Sequence, residues 1–336
     1  MRAFIQNRSF TFNALLLVFA FILSNAIGAV LIPPASILAG LLGQEIPQTL
    51  ATILYEIRLP HSLIIALTGA ALAGSGTAYQ GLFRNPLADP YLIGVASGAG
   101  LGAVFVMASE WPRTLLGFYT VPAAAFLGAI LAVSLVYALA RVGGSLPVTS
   151  LILAGVAVSA FASALTSFLM LRSGNELRRA ISWLLGGASL SGWQPLLAML
   201  PYTVIGLGIL LFSGHLLNVL QLGDDEARQV GIPVDRVKVL LIAAASLATA
   251  AAVAFSGVIG FLGLIVPHAA RMLWGADHRR LLPLSMLAGA STLLVADILA
   301  RTLFAPQVLP VGLLTALAGA PFFLWILRRT KAQNYW

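Results

Sequence analysis

Residues 58–102 read RLPHSLIIALTGAALAGSGTAYQGLFRNPLADPYLIGVASGAGLG, and their pattern decides what kind of chain this is. Residues 62–83 and 90–109 are each free of charge, over about the 20 residues a helix needs to cross the hydrocarbon core of a bilayer. Between them lies a polar turn, GLFRNPLADP. Pro86 and Pro90 lack amide hydrogens and push the residues before them out of the α region, so the first helix is predicted to end near Arg84 and the next to begin after Asp89. In the second apolar run Gly94, Gly98 and Gly102 recur at four-residue spacing. Such a stripe lets helix backbones approach closely, and we expect it to pack within the chain.

The rest of the chain agrees. Of 336 residues 60% are hydrophobic and only 9% charged, against roughly 25% charged in a soluble domain. This composition predicts an all-α, polytopic membrane protein. Cysteine is absent, which excludes disulfides, thiolate metal sites and thiol nucleophiles. The net charge of +8 is scattered between apolar segments and makes no nucleic-acid patch; basic residues of this kind collect in the cytoplasmic loops of membrane proteins.

In order, Arg2 and Arg8 precede an apolar run over 10–32, read as a retained first span although Ser24-Asn25-Ala26 resembles a cleavage site. Residues 33–58 are expected outside, with short amphipathic helices. Further crossings are predicted at 62–80, 91–108, 118–140, 148–170, 195–217, 239–255, 264–274, 281–300 and 311–327. Residues 110–113 and 172–179 fall outside, and 181–190, with Gly186-Gly187, reads as a broken or re-entrant helix. The result is one domain over 1–336 with about ten crossings and both ends inside. It places about 13 of the 19 Lys and Arg residues inside, as the positive-inside rule requires. A glycine-broken helix followed by a proline-bearing one over 255–274 echoes the first half, as in inverted-repeat transporters.

Residues 221–238, LGDDEARQVGIPVDRVK with a leading Gln221, form the most polar stretch. Asp224, Asp225 and Glu226 suit a helix N-terminus, and Gly231 with Pro233 stops that helix. Lys238 and Lys331 are the only lysines, and neither completes a phosphate-binding loop. Any ATP hydrolysis therefore belongs to another chain, and we expect no enzyme activity and no cofactor here. His215 and His268 have no partner at metal-ligand spacing. Asp297 and Arg301 share a helix face and are expected to pair.

Arg58-Leu59-Pro60, Gly69-Ala70-Ala71-Leu72-Ala73 with Gly76 and Gln80, and Asn85-Pro86-Leu87-Ala88 with Pro90 and Gly94 together resemble the FecCD family. These are permease subunits of binding-protein-dependent ABC importers for iron–siderophores, haem and vitamin B12. The resemblance continues through Leu153-Ala154-Gly155-Val156, Trp183, Leu222-Gly223-Asp224, Gly260-Phe261-Leu262-Gly263-Leu264, Pro267-His268, Arg271, Pro310-Val311-Gly312 and Gly319-Ala320-Pro321-Phe322.

It implies that the 221–238 loop couples to the ATPase through Leu222, Gly223, Asp224, Ala227 and Gly231. Asn85, Leu87, Thr149 and Ser150 would line a cytoplasmic gate, where the bland alternative is helix capping. Arg58, His61 and Arg301, at outer helix ends, would dock a binding protein, where the alternative is simple snorkelling. His61 stands where an arginine is usual, so that contact would weaken as pH rises through the histidine range, with Arg178 and Arg179 to compensate. Val308 replaces a usual glutamate. The implied partners are a second permease copy, two ATP-binding cassette subunits, a periplasmic or lipid-anchored substrate-binding protein and the bacterial inner membrane. A different class, an ion-coupled secondary transporter, would use Asp297.

Overall fold

The computed structural model describes residues 2–109, 111–112, 114–115, 118–172, 176–187 and 192–333. A long α1 (Arg2–Ala26) is followed by two short helices, α2 (Pro34–Leu41) and α3 (Gln48–Thr52), and then by α4 (Leu59–Leu82) and α5 (Val95–Ala108). A hairpin of β1 (Thr114–Leu115) and β2 (Phe118–Tyr119), with Thr114 opposite Tyr119, leads to α6 (Thr120–Ala140). Then come α7 (Val148–Arg172), the short α8 (Leu177–Leu184), α9 (Trp193–Phe212), and the short α10 (Gly214–Leu220) and α11 (Asp224–Gln229). The chain closes with α12 (Val234–Ser256), α13 (Leu262–Trp274), α14 (His278–Thr302) and α15 (Val311–Gln333). Among the described residues seven helices are long and apolar enough to cross a membrane, and α5 and residues 311–325 of α15 are shorter apolar helices.

Side-chain contacts give the directions of these helices. Along α4 and α14, His61 meets Asp297, Gly69 abuts Gly289 and Gly81 abuts His278, so the two run antiparallel. Along α4 and α12, Thr68 bonds Ser256 at 2.7 Å and Tyr79 bonds Ser246 at 2.9 Å, again antiparallel. One end of the bundle therefore collects Ser24, Arg58, His61, Asp297 and Arg301. The opposite end collects Gly81, Asn218, Asp277 and His278. Following the Lys and Arg distribution, the second is called the inner end.

α4 is buried along nearly all its length and lies at the centre, touching α1, α9, α12, α13 and α14. Lipid offers no hydrophobic drive for helices to associate, so close backbone packing must do it. The glycines of α4 permit this: a Cβ on Gly69 would collide with the Gly289 backbone, and one on Gly76 with the Gly263 backbone. The same device joins α5 to α6, where Gly98 abuts Gly128 and Gly102 abuts Ala124. Two members of the predicted stripe therefore pack within the chain; the third, Gly94, instead turns the backbone at φ 84°.

Three boundaries differ from expectation. α3 continues through a π-helical turn, Ile53–Arg58, into α4, making one run Gln48–Leu82. Pro60 has no N–H for the carbonyl one turn back, and a shift to wider hydrogen bonds before it accommodates that loss. The second helix of the opening stretch starts late. Pro90–Ile93 is a 3-10 turn capped by Asp89, which accepts the Tyr91 N–H at 2.8 Å. Left with 14 residues, α5 rises only about 21 Å, so the turn completes the crossing of a core about 30 Å thick. The predicted crossing 195–217 divides at Ser213, whose hydroxyl bonds back to the Ile209 carbonyl at 2.7 Å.

The expected broken helix is α8. Beyond it Gly186 takes φ 77° and abuts the Val258 carbonyl and the Gly312 N–H. Gly257 abuts the Trp183 carbonyl, and Gly312 the carbonyls of Leu185 and Val258. Irregular backbone at membrane depth is thus enclosed by protein. Residues 188–190 of that prediction, and Glu110 and Arg113 of the outer loop, lie outside the described residues.

Candidate functional site

At the inner end, α4 stops in a Schellman arrangement. Arg84 adopts φ 49°, its N–H bonds the Gly81 carbonyl at 3.2 Å, and the Asn85 N–H bonds the Gln80 carbonyl at 3.1 Å. The Asn85 side chain then accepts the Leu87 N–H at 2.9 Å, closing the turn around Pro86. Asn85 is exposed and Leu87 half-buried. At the start of α7, Thr149 is exposed and Ser150 half-buried. Both pairs lie at the inner end, with no hydrogen bond between them among the described residues. They are tied indirectly, because Gly155 of α7 abuts the Leu92 carbonyl just past the turn. From α13, His268 reaches the Pro86 backbone, a contact the sequence reading did not anticipate.

The polar loop folds as α11 with both flanks fixed. Gly223, at φ 134°, and Gly231, at φ 84°, supply backbone that other residues rarely adopt. Of the residues assigned to coupling, Leu222 is 67% exposed and Gly231 is exposed, whereas Gly223 and Ala227 are buried. Ala227 is therefore a packing residue beneath the helix. Asp224 turns inward to a buried Lys238 at 2.5 Å. The outward face includes Leu222, Asp225, Glu226 and Val230.

α11 is also roped to the turn before α7. Lys238 donates to the Leu146 carbonyl at 3.4 Å, and Asp235 accepts the Leu146 N–H at 3.2 Å while pairing with Arg228 of α11 at 3.4 Å. Leu146 lies three residues before Thr149. Sequence reasoning missed this link. A second link was missed at the neighbouring turn. Asn218 of α10 donates to Asp277 at 2.6 Å and accepts the His278 N–H at 2.8 Å. The Asn218 amide holds the Asp277 carboxyl below the usual carboxylate range.

At the outer end, three of the five docking candidates meet. Arg301 pairs with Asp297 at 2.8 Å, as expected, and His61 lies 3.0 Å from the other carboxylate oxygen. Arg301 also reaches the carbonyls of Ser24 and Ile27. Arg58 points inward: it is 6% exposed and donates to Asn25 O at 2.6 Å, Ala26 O at 3.0 Å and Val30 O. Asn25 and Ala26 are the last residues of α1, a helix end where a cation is favoured, and Val30 lies in the segment just beyond it. Arg178 and Arg179 stand apart on α8, both exposed, with Arg179 3.3 Å from Glu176. His61 and Asp297 line a cavity of about 190 Å³ together with Ser182, Ser256 and Val308.

Comparison with known proteins agrees with this layout. The chain is 48% identical over 288 residues to a cobalamin import system permease of Halobacterium salinarum, covering 86% of this chain and 76% of that protein. It is 45% identical over 287 residues to the hemin transport system permease of Yersinia pestis, covering 83% and 84%. A solved metal-chelate type ABC transporter in an inward-facing conformation superposes with a TM-score of 0.83 at 33% identity, over 96% of this chain and 99% of that one. The model of the FecCD transport family matches residues 16–329. A multi-pass helical bundle of this topology, matched over nearly its whole length, belongs to the FecCD transport family of permeases.

Proposed function

We propose that the chain is one permease half of an ATP-driven importer that moves a metal chelate inward across the cytoplasmic membrane by alternating access. The observation that carries this reading is the latch joining α11 to the α6–α7 turn through Asp224, Lys238, Asp235 and Leu146. A push on the exposed Leu222, Asp225 and Val230 is thereby delivered to the start of α7, where Thr149 and Ser150 stand with Asn85 and Leu87 as the inner gate. The driving chain is a separate ATPase, and two copies of the permease enclose the pathway. α7 supports the pairing, being the least buried of the seven candidate spans among the described residues. The whole chain acts as one permease domain, with residues 221–238 as its cytoplasmic docking loop and both ends inside.

His61 and Arg301 form the outer docking point for a substrate-binding protein, with the Arg58 guanidinium lying beside that of Arg301 near Gly28. Relatives named for cobalamin and for hemin make a metal chelate the substrate class. Asp297 does not favour ion coupling, because its carboxylate lies between Arg301 and His61.

The test is uptake of labelled ferric siderophore, haem and cobalamin into vesicles holding the chain with its ATPase and binding protein. Wild type runs beside Leu222→Ser/Val230→Ser, two exposed changes that leave the packing under α11 intact. ATP-dependent uptake of one chelate, lost in the variant, is the expected result. Uptake driven by a proton or sodium gradient without ATP would overturn the reading.

A further inference from the structure

Two cavities meet on the outer flank of α6, α9 and α12. The first is an apolar groove of about 410 Å³ walled by Ile130, Val133, Ile209, Leu240 and Ala243. It extends along α12 from Val239 to Leu247, about 12 Å at helical rise, which is close to half of a hydrocarbon core about 30 Å thick. Tyr137 and Val239 at its inner end also line the second cavity, of about 460 Å³, where Arg141 and Arg236 take over the wall. That second cavity sits between the C-terminus of α6 and the N-terminus of α12, at the inner membrane boundary.

The charge there is uneven. Both arginines are exposed, and neither forms an ion pair among the described residues. Asp235, the acid in the wall, is already engaged by Arg228 and the Leu146 N–H. Basic pockets between helices on the cytoplasmic side suit anionic head groups, and an aromatic ring at the boundary suits the interface.

We propose that this composite pocket holds one anionic phospholipid of the inner leaflet, its phosphate between Arg141 and Arg236 and one acyl chain in the groove. A zwitterionic lipid has the same chain but a cation that cancels the charge the arginines select. A free phosphate has no chain to fill the groove. Because Leu146 and Asp235 also line the pocket, an occupied site braces the turn that precedes α7.

The experiment counts retained phosphatidylglycerol by native mass spectrometry, on the purified permease from nanodiscs of phosphatidylcholine doped with phosphatidylglycerol. Variants are R141Q, R236Q, their double, and A243F, which fills the groove from an exposed position without touching the arginines; melting temperature confirms that each folds. Retention should fall about fivefold for either arginine and about thirtyfold for both, and should also fall in A243F. Undiminished retention in the double variant would overturn the proposal. So would full retention in A243F, which would reduce the site to surface charge, or displacement by soluble glycerol phosphate, which would make it a simple anion site.

Discussion

Gly76 shows how little room the centre of this bundle has. A methyl group there would enter the Gly263 backbone, which cannot rotate away as a side chain does. Gly76→Ala is therefore expected to cost about 1–3 kcal/mol and to lower the melting temperature. Gly208 in α9 has open space around it, and Gly208→Ala should leave stability unchanged or raise it by about 0.5–1 kcal/mol. Equal losses at both positions would show that close packing at Gly76 is not what matters. Asp277 makes a different case. It caps α14 by accepting the Arg279 N–H at 3.1 Å, and its carboxyl is held below the ordinary range, first by Asn218. A depressed folded-state value means the stabilisation is complete above the unfolded value near 3.9 and is lost as pH falls through the lower folded value. Asp277→Ala should thus cost about 1 kcal/mol at pH 7, with the gap from wild type closing below about pH 4. Thermal melting across pH measures both.

Among the elements, α11 is held rather than free. Lys238, 3% exposed, pairs with Asp224 and reaches Leu146, so Lys238→Met should disconnect α11, the proposed docking helix, from the α6–α7 turn while leaving its exposed face in place. Transport per ATP hydrolysed is expected to fall roughly tenfold, and Asp224→Asn added to it should restore part of the loss by removing the unpaired acid. Unchanged coupling in Lys238→Met would remove the latch from the account. The sequence made α11 itself legible, because acids, a stopping glycine and Pro233 fall at the right offsets. It did not reveal the latch, since Asp224, Lys238 and Leu146 are joined only by the packing of separate segments. The same limit applies to Arg58. Its place at a helix end was readable, but its turn toward the α1 carbonyls depends on a helix more than thirty residues away in the chain. Charge-free runs marked the crossings themselves; the break at Pro90 was readable, but the 3-10 turn that follows it and the π turn before Pro60 were not.

For the whole molecule, the two ends of the bundle differ in how they are closed. Arg58, His61, Asp297 and Arg301 knit α1, α4 and α14 together at the outer end. The inner end is linked through α10, α11 and the turns beside α7. This asymmetry suits the proposed mechanism, in which a docked protein opens the outer end and an ATPase the inner one. Because cysteine is absent, single reporters can be placed without removing native thiols. Thr149→Cys marks the proposed inner gate, and Val308→Cys, 66% exposed and lining the outer-end cavity, marks the proposed outer mouth. The decisive measurement is the labelling rate of each cysteine by a membrane-impermeant maleimide, applied from either side of vesicles holding the assembled importer, with and without trapped ATP. Alternating access requires the two rates to change in opposite directions between the two states. Rates that rise and fall together, or that ignore ATP, would contradict it.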